Sequence, residues 1–575
     1  MRPSMWHLTW HPALAGLFLV GSLTAAQPPR KVTIDDLMSL RTINDVKISP
    51  AGDQIAYTVS APSLERNAHE VAVFVIPVAG GTPKRIAEGY RIFAPALPAP
   101  RLRWRADGFI SVLVNEKSGP QVLAVRPDNT GAAVVTSAPL GVSAYEWSPD
   151  GKALAYLSRD PGPVTPPIAN QVGASPPATR LFLQTPDATG NSAAITPAAQ
   201  YVDSFAWSPD GKEIAYAWSP VVGFLAPYQT KIFAVAVTGA IRPIIDRAGM
   251  NVSPQFSPDG SRVAFITTNE RTGIIAPRGL AVANAPGTNS NIRSYPMNGA
   301  WIAEMQWTPD SQSLFVTMNE GTFATGAGMF EMPAVRVNLA DGKAERFGEA
   351  RAAVQYNLSL SRDGRTLAYR EVGARDMGHL VVMDAATKKT RRLADVNPEL
   401  RQFALGELQA ISWKSFDGME IWGLLLTPPG YDGTSRIPLL VYCHGGPIGG
   451  VTLGIFPQFM HVPGQIDPYP TEAFASRGFA VLFPMPRGGS GYGEAGHRMI
   501  INDWGGPDYK DIIAGVDHLI ARGIADENRL GVMGASYGGY MTNWIVTQTS
   551  RFKAAAAGAS IADLSDLYYL TDGGD

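Results

Sequence analysis

Ser536 is the residue whose neighbours point to covalent chemistry. It stands within Gly534-Ala535-Ser536-Tyr537-Gly538-Gly539, a G-x-S-x-G string. Such a string makes a nucleophile when it lies on a tight strand-to-helix turn. The turn projects the hydroxyl, and the helix N-terminus behind it stabilises negative charge. Ser536 is therefore expected in a strained backbone state, with Gly534 and Gly538 offering no side chains to collide. With 59 glycines in 575 residues the string arises by chance roughly once in every few chains this long, so its position decides its meaning. A second glycine cluster, His444-Gly445-Gly446-Pro447, could bring backbone N–H groups close to a developing oxyanion. Serine acyl transfer uses two such donors, each worth ~3–4 kcal/mol of barrier. One comes from the residue after the nucleophile, here Tyr537; the other, from a loop after an earlier strand, is assigned to Gly446. Gly445 supports that loop. His444 reads as a brace for it, with proton transfer as the alternative.

The elements around these residues suit that chemistry. Leu439–Cys443 is an apolar run bounded by glycine, and Gly478–Pro484 is another, so both read as buried strands. Asp508–Arg522 places Ile512, Ile513, Val516, Leu519 and Ile520 at helical spacing. Leu530–Met533 reads as a strand, Gly539–Gln548 as a helix and Ala554–Ala557 as a further strand. Ser536 thus falls between a strand and a helix, and the alternation implies a mostly parallel sheet covered by helices. Trp413–Leu426 reads as a preceding hairpin and Arg392–Leu408 as a linker. Gly491-Tyr492-Gly493-Glu494-Ala495-Gly496 matches G-x-G-x-x-G, but it lies seven residues beyond its strand and far from the helix near 508, so a dinucleotide site is not expected. Cys443 is expected in the core, pointing away from the face its neighbour His444 takes.

The first two thirds of the chain repeat a different phrase. Trp147-Ser148-Pro149-Asp150-Gly151, Trp207-Ser208-Pro209-Asp210-Gly211 and Phe256-Ser257-Pro258-Asp259-Gly260 are its clearest copies. Weaker ones begin at Ile48, Trp104, Trp307 and Leu360. From Gly52 to Gly364 is 312 residues over six intervals, or 52 per repeat. Proline presets a turn, aspartate bonds its own backbone and glycine accepts positive φ. A strand-like run follows each copy. Several short strands within a period near 50 are expected to form propeller blades, seven in all. Thr33–Met38 reads as a short capped helix leading in.

Two resemblances follow. The repeat phrase, over about residues 46–395, resembles TolB-like or WD40-like β-propeller repeats. His444–Pro447, Arg487-Gly488-Gly489-Ser490-Gly491-Tyr492-Gly493, Asp503-Trp504-Gly505-Gly506-Pro507-Asp508-Tyr509-Lys510-Asp511 and Gly534–Tyr540 occur in an order that resembles the prolyl oligopeptidase family of serine peptidases. The likeness is greatest to its acylaminoacyl-peptidase and dipeptidyl-peptidase branch. That family joins a seven-bladed propeller to an α/β-hydrolase domain. The resemblance implies hydrolysis of short peptides admitted by size, with Ser536 as nucleophile and Tyr537 and Gly446 as oxyanion donors. It implies no cofactor or metal. The expected organisation is 1–26 signal peptide, 27–400 propeller with its lead-in, and 401–575 hydrolase domain.

One part of the machinery is missing from the string. A hydrolase of this kind orders Ser, then Asp or Glu, then His. All eight histidines precede Ser536. Asp563, Asp566, Asp572 and Asp575 follow it, but one strand too early for the family's acid. The expectation is a chain shortened by on the order of one hundred residues that would carry the acid and the base, and inactive as written.

Composition bounds the rest. The chain has 45% hydrophobic and 17% charged residues, and a formal net charge of −2, which gives no footprint for nucleic acid. Its 59 glycines and 46 prolines fit many short strands, and one cysteine excludes an internal disulfide or a cysteine-cluster metal site. Arg2, the apolar run Ala13–Gly21 and Thr24-Ala25-Ala26 form an export signal with cleavage expected after Ala26. The expected location is the periplasm or outside the cell, with no membrane anchor once the signal is removed. Oligomeric state is not readable. An esterase on the same fold, or a propeller that binds a partner beside a vestigial hydrolase half, are the rival functions.

Overall fold

The computed structural model describes residues 29–93, 102–160, 177–185, 192–198, 200–223, 225–273, 276–295, 302–318, 326–347, 354–455 and 469–570. The segment read as an export signal, His461 and the last two aspartates lie outside them.

Seven four-stranded antiparallel sheets follow one another along the chain, at 42–86, 103–134, 144–194, 201–245, 251–295, 302–346 and 354–395. They are the seven blades of a β-propeller. The turn of the repeat phrase works as its chemistry requires. Ser148 Oγ donates to Asp150 at 2.6 Å and accepts from the Ala153 amide at 2.9 Å, while Gly151 takes φ +72°. Ser208–Asp210, Thr308–Asp310 and Ser361–Asp363 repeat it at 2.7, 2.5 and 2.6 Å. In each pair the hydroxyl donor holds the aspartate below the usual carboxylate range. Ser311 substitutes for the glycine and still adopts φ +58°.

The aromatic at the head of the phrase has a role that its pattern does not disclose. The Trp104 indole donates to the Lys47 carbonyl at 2.9 Å, Trp207 to Glu146 and Trp307 to Gln255, both at 3.1 Å, and Trp147 to Ser111 Oγ at 2.9 Å. Each reaches back to the blade before it. Every blade is one continuous stretch, so the ring closes without a strand shared between its ends, by packing and hydrogen bonds between blades 1 and 7. Ile43, Val46 and Tyr57 of blade 1 meet Ala368, Leu380 and Val382 of blade 7, and the Ile48 amide donates to Ser359 Oγ at 2.9 Å.

Past the propeller lies a six-stranded sheet. Its spatial order is Glu407–Lys414, Glu420–Thr427, Ala480–Met485, Ile437–Cys443, Ala525–Ala535, Phe552–Gly558. The first two pairings are antiparallel and the remaining three parallel. Helices Pro507–Ala521 and Tyr537–Gln548 cover one face through Ile512, Val516, Leu519, Met541 and Ile545. On the other face, Tyr442, Val481 and Phe483 pack against Val451, Leu453 and the propeller's own Met329 and Phe330. This is an α/β-hydrolase sheet carrying a propeller against one side. Phe552–Gly558 is an edge strand whose residues 553–557 are exposed.

The lead-in helix Ile34–Met38 carries a capping box between Thr33 and Asp36. Val32, Leu37 and Leu40 pack with Met377 of blade 7 and with Ile455 and Ala473 of the hydrolase half, joining the two. Element ends differ modestly from expectation. The strand read as Leu530–Met533 runs Ala525–Ala535, and the helix after the serine begins at Tyr537. No helix among the described residues is long and apolar enough to cross a membrane.

Candidate active site

Ser536 sits at the junction of strand Ala525–Ala535 and helix Tyr537–Gln548, exposed, with φ 57° and ψ −124°. A non-glycine residue in that region costs on the order of 1–3 kcal/mol and persists only where its surroundings fix it. Here the Ser536 amide donates to the Gly558 carbonyl at 3.0 Å, and its own carbonyl accepts from the Tyr540 amide at 3.0 Å. The flanking glycines are steric necessities. A Cβ on Gly538 would lie 2.0 Å from the Cys443 oxygen, and one on Gly534 would lie 2.5 Å from the same atom. The helix can therefore start directly against the end of the neighbouring strand.

The glycine loop at 444–447 comes to the same place. A Cβ on Gly445 would sit 3.6 Å from the Ser536 Cβ and 3.4 Å from the Ala535 oxygen. Gly446 has φ +137°, and a Cβ there would be 2.4 Å from the Gly449 amide nitrogen. Two main-chain segments thus meet beside Ser536. One is the first turn of a helix, whose leading N–H groups have no partner within the helix. The other is a loop that only glycine can follow.

His444 is buried. Its Nδ1 is 2.8 Å from the Gly445 oxygen, its Nε2 has no hydrogen-bond partner, and burial lowers its pKa. Cys443 is buried in the sheet core, its thiol pushed up to about 12 by burial. Among the described residues no hydrogen bond joins a histidine to Ser536. His69 bonds Ser60 in blade 1, His379 lies between Asp376 and Asp395 in blade 7, His497 is buried without a partner, and His518 is on helix Pro507–Ala521.

Several residues near the site escaped the sequence reading. Tyr537 turns its side chain inward, where its hydroxyl donates to the buried carboxylate of Asp508. Burial pushes Asp508 up to about 6 and raises Tyr537. Arg487 forks onto Asp417 at 2.7 and 3.0 Å and onto the buried Asp511 at 2.8 Å through both Nε and Nη2. Tyr469 donates to the Gly534 carbonyl at 2.7 Å. The signal available for the first two was a pair of aspartates, 508 and 511, one turn apart at a helix start. Gly491-x-Gly493 has its own explanation: a short helix, Gly493–Arg498, does open there, and a Cβ on Gly491 would meet Met329 of the propeller at 2.9 Å. Gly491 thus admits a domain contact.

Residues 467–573 match the family model described as "Prolyl oligopeptidase family". The uncharacterized peptidase YuxL of Bacillus subtilis is 24% identical, over 94% of this chain and 85% of its own length. Dipeptidyl-peptidase 5 of Porphyromonas gingivalis is also 24% identical, over 94% and 80%. Among solved structures, the uncomplexed acylaminoacyl peptidase of Pyrococcus horikoshii superposes with a TM-score of 0.73 at 19% identity, over 93% of this chain and 80% of that one. A propeller set on a hydrolase sheet, with an elbow serine between glycines, is the build of a serine hydrolase, and residues 467–573 of the chain are similar to the prolyl oligopeptidase family.

Proposed function

We propose that this protein is an exported serine peptidase that cleaves short peptides. Ser536 Oγ attacks the scissile carbonyl carbon while a base takes its proton. The tetrahedral oxyanion accepts hydrogen bonds from the N–H groups of Tyr537 and Gly446. Collapse expels the amine, which receives the proton, and leaves an acyl-serine that water hydrolyses by the same route. The base and its orienting acid are not among the described residues bonded to Ser536.

The observation that carries this reading is the backbone of Ser536 itself. A residue held at φ 57° and exposed, where two glycine-dependent segments converge, is strain kept for presenting a hydroxyl. Peptides are favoured over simple esters because the propeller packs against the hydrolase half, through Met329 and Phe330, where it can limit access by size. The names of the relatives, dipeptidyl-peptidase 5 and acylaminoacyl peptidase, point the same way. Periplasmic or secreted location rests on the N-terminal signal alone. The test compares turnover of aminoacyl and dipeptidyl nitroanilides with that of nitrophenyl esters by the full-length natural protein. Peptidase function predicts amide turnover that Ser536→Ala abolishes; ester turnover alone would favour the esterase reading.

A further inference from the structure

Asp508 is a carboxylate for which the acyl-transfer steps have no use, yet it lies directly beneath them. It is the second residue of helix Pro507–Ala521, and nothing of it reaches solvent. Its Oδ1 accepts from the Tyr509 amide at 2.9 Å, and its Oδ2 accepts from the Tyr537 hydroxyl. Tyr537 is the residue after the nucleophile and the first of its helix.

The contact is one of a set. The Tyr537 ring meets Trp504 edge-on, with centroids 5.0 Å apart and planes at 86°. The Tyr540 hydroxyl donates to the Trp504 carbonyl at 3.0 Å, and the Trp544 indole donates to the Gly505 carbonyl at 2.7 Å. Residues 537, 540 and 544 on the nucleophile's helix are therefore pinned to the segment 504–508. That segment is anchored in turn, because Asp511 is held by the Arg487 fork and by the Arg487 amide at 2.9 Å.

We infer that Asp508 is a positioning residue: by holding the Tyr537 hydroxyl it fixes the orientation of the Ser536–Tyr537 peptide and aims the Tyr537 N–H at the carbonyl oxygen under attack. The inference rests on the acyl-transfer reading of Ser536. The physical argument is one of leverage. An N–H at the first position of a helix has no carbonyl partner to set its direction. Ser536, just before it, occupies a backbone state that must be imposed from outside. The Cα–Cβ bond of Tyr537 is rigidly tied to its own N–H, so a ring clamped at its far end fixes the peptide. An oxyanion donor acts only if it is already aligned where the charge develops. A buried carboxylate is the strongest acceptor available for that clamp, since a hydrogen bond to a charged group is roughly twice as strong as one between neutral groups.

The test uses the full-length natural protein, an aminoacyl nitroanilide and a fluorophosphonate probe. Tyr537→Phe and Asp508→Ala should each lower kcat about 10- to 100-fold, with KM within about twofold, because the lost contact acts in the transition state. Asp508→Asn, which keeps an acceptor, should recover most of that loss. The double variant Asp508→Ala/Tyr537→Phe should be no worse than the poorer single, since both remove one contact. If Asp508→Ala does not fold, the comparison of Tyr537→Phe with Asp508→Asn carries the result. Unchanged kcat in Tyr537→Phe, or Asp508→Asn as poor as Tyr537→Phe, overturns the positioning role while probe-labelled wild type leaves Ser536 in place. A wild type that neither labels nor turns over overturns the acyl-transfer reading, and the positioning role with it.

Discussion

Gly538 lies against the carbonyl oxygen of Cys443 so closely that a Cβ would fall 2.0 Å from that atom. The contact sets the depth to which the helix after Ser536 seats on the sheet. Gly538→Ala must therefore displace either the helix or the strand Ile437–Cys443, and both carry the site. The expected outcome is loss of reactive-serine labelling together with a destabilisation of ~3 kcal/mol or more, among the larger single-residue effects. Thermal unfolding and probe labelling of the same preparation check both parts. Labelling at the wild-type rate would show that the elbow does not need this approach.

Ser536→Gly probes the strain at the same turn. Glycine enters φ 57°, ψ −124° freely, so the variant should be stabilised by up to ~1 kcal/mol, less the entropy glycine adds to the unfolded chain. It should also lose all labelling. Denaturant unfolding reads the first quantity. A variant less stable than wild type by more than the ~0.5–1 kcal/mol of glycine entropy would mean that the serine backbone is not strained.

Arg487 joins Asp417, on the hairpin at 413–419, to Asp511, on helix Pro507–Ala521. Asp511 has no exposure, and lysine cannot reproduce a fork that serves two carboxylates. Arg487→Lys is expected to destabilise by about 2 kcal/mol, and Arg487→Met by ~3–5 kcal/mol, because it strands a buried charge. Thermal melts of the two variants check the order.

Glu472 gives a pH signature. It is buried where the hydrolase half meets the linker, and its Oε2 accepts from the Gly406 amide at 2.9 Å. Burial raises it to about 7 from 4.5, with Arg375 acting in the opposite direction. The folded state thus binds a proton that the unfolded state releases, so stability falls as pH rises from about 4.5 to 7, by ~3 kcal/mol across the window. Above pH 7 the penalty is complete; below 4.5 it is absent. Glu472→Gln keeps the acceptor and should be more stable than wild type at pH 8 and indistinguishable from it at pH 4. Unfolding midpoints at the two pH values decide it, and equal differences at both would contradict the account.

Much of this architecture is legible in the chain because its determinants are local. The Ser-Pro-Asp-Gly turns fold from contacts within six residues, and the Gly534–Gly538 string specifies its own steric needs. What is illegible depends on partners far away. The tryptophans of the repeat phrase bond the blade before them, some 57 residues earlier for Trp104 and Lys47. The Tyr537–Asp508 contact spans 29 residues and two elements. Asp508 stands inside a quoted motif, yet no pattern in sequence says that a tyrosine hydroxyl will find it. The Gly491–Gly496 string is rejected as a dinucleotide site from its spacing alone, but what Gly491 is for shows only when Met329 of the propeller is brought against it. Helix Gly493–Arg498 is too short, at six residues, for periodicity to reveal.

On the acyl-transfer reading, the Ser536 hydroxyl is the reacting atom. The most direct measurement is mass-spectrometric mapping of the fluorophosphonate adduct on the full-length natural protein. The account predicts one adduct, on the peptide containing Ser536, and none in Ser536→Ala. An adduct on another residue, or equal labelling of the alanine variant, contradicts it.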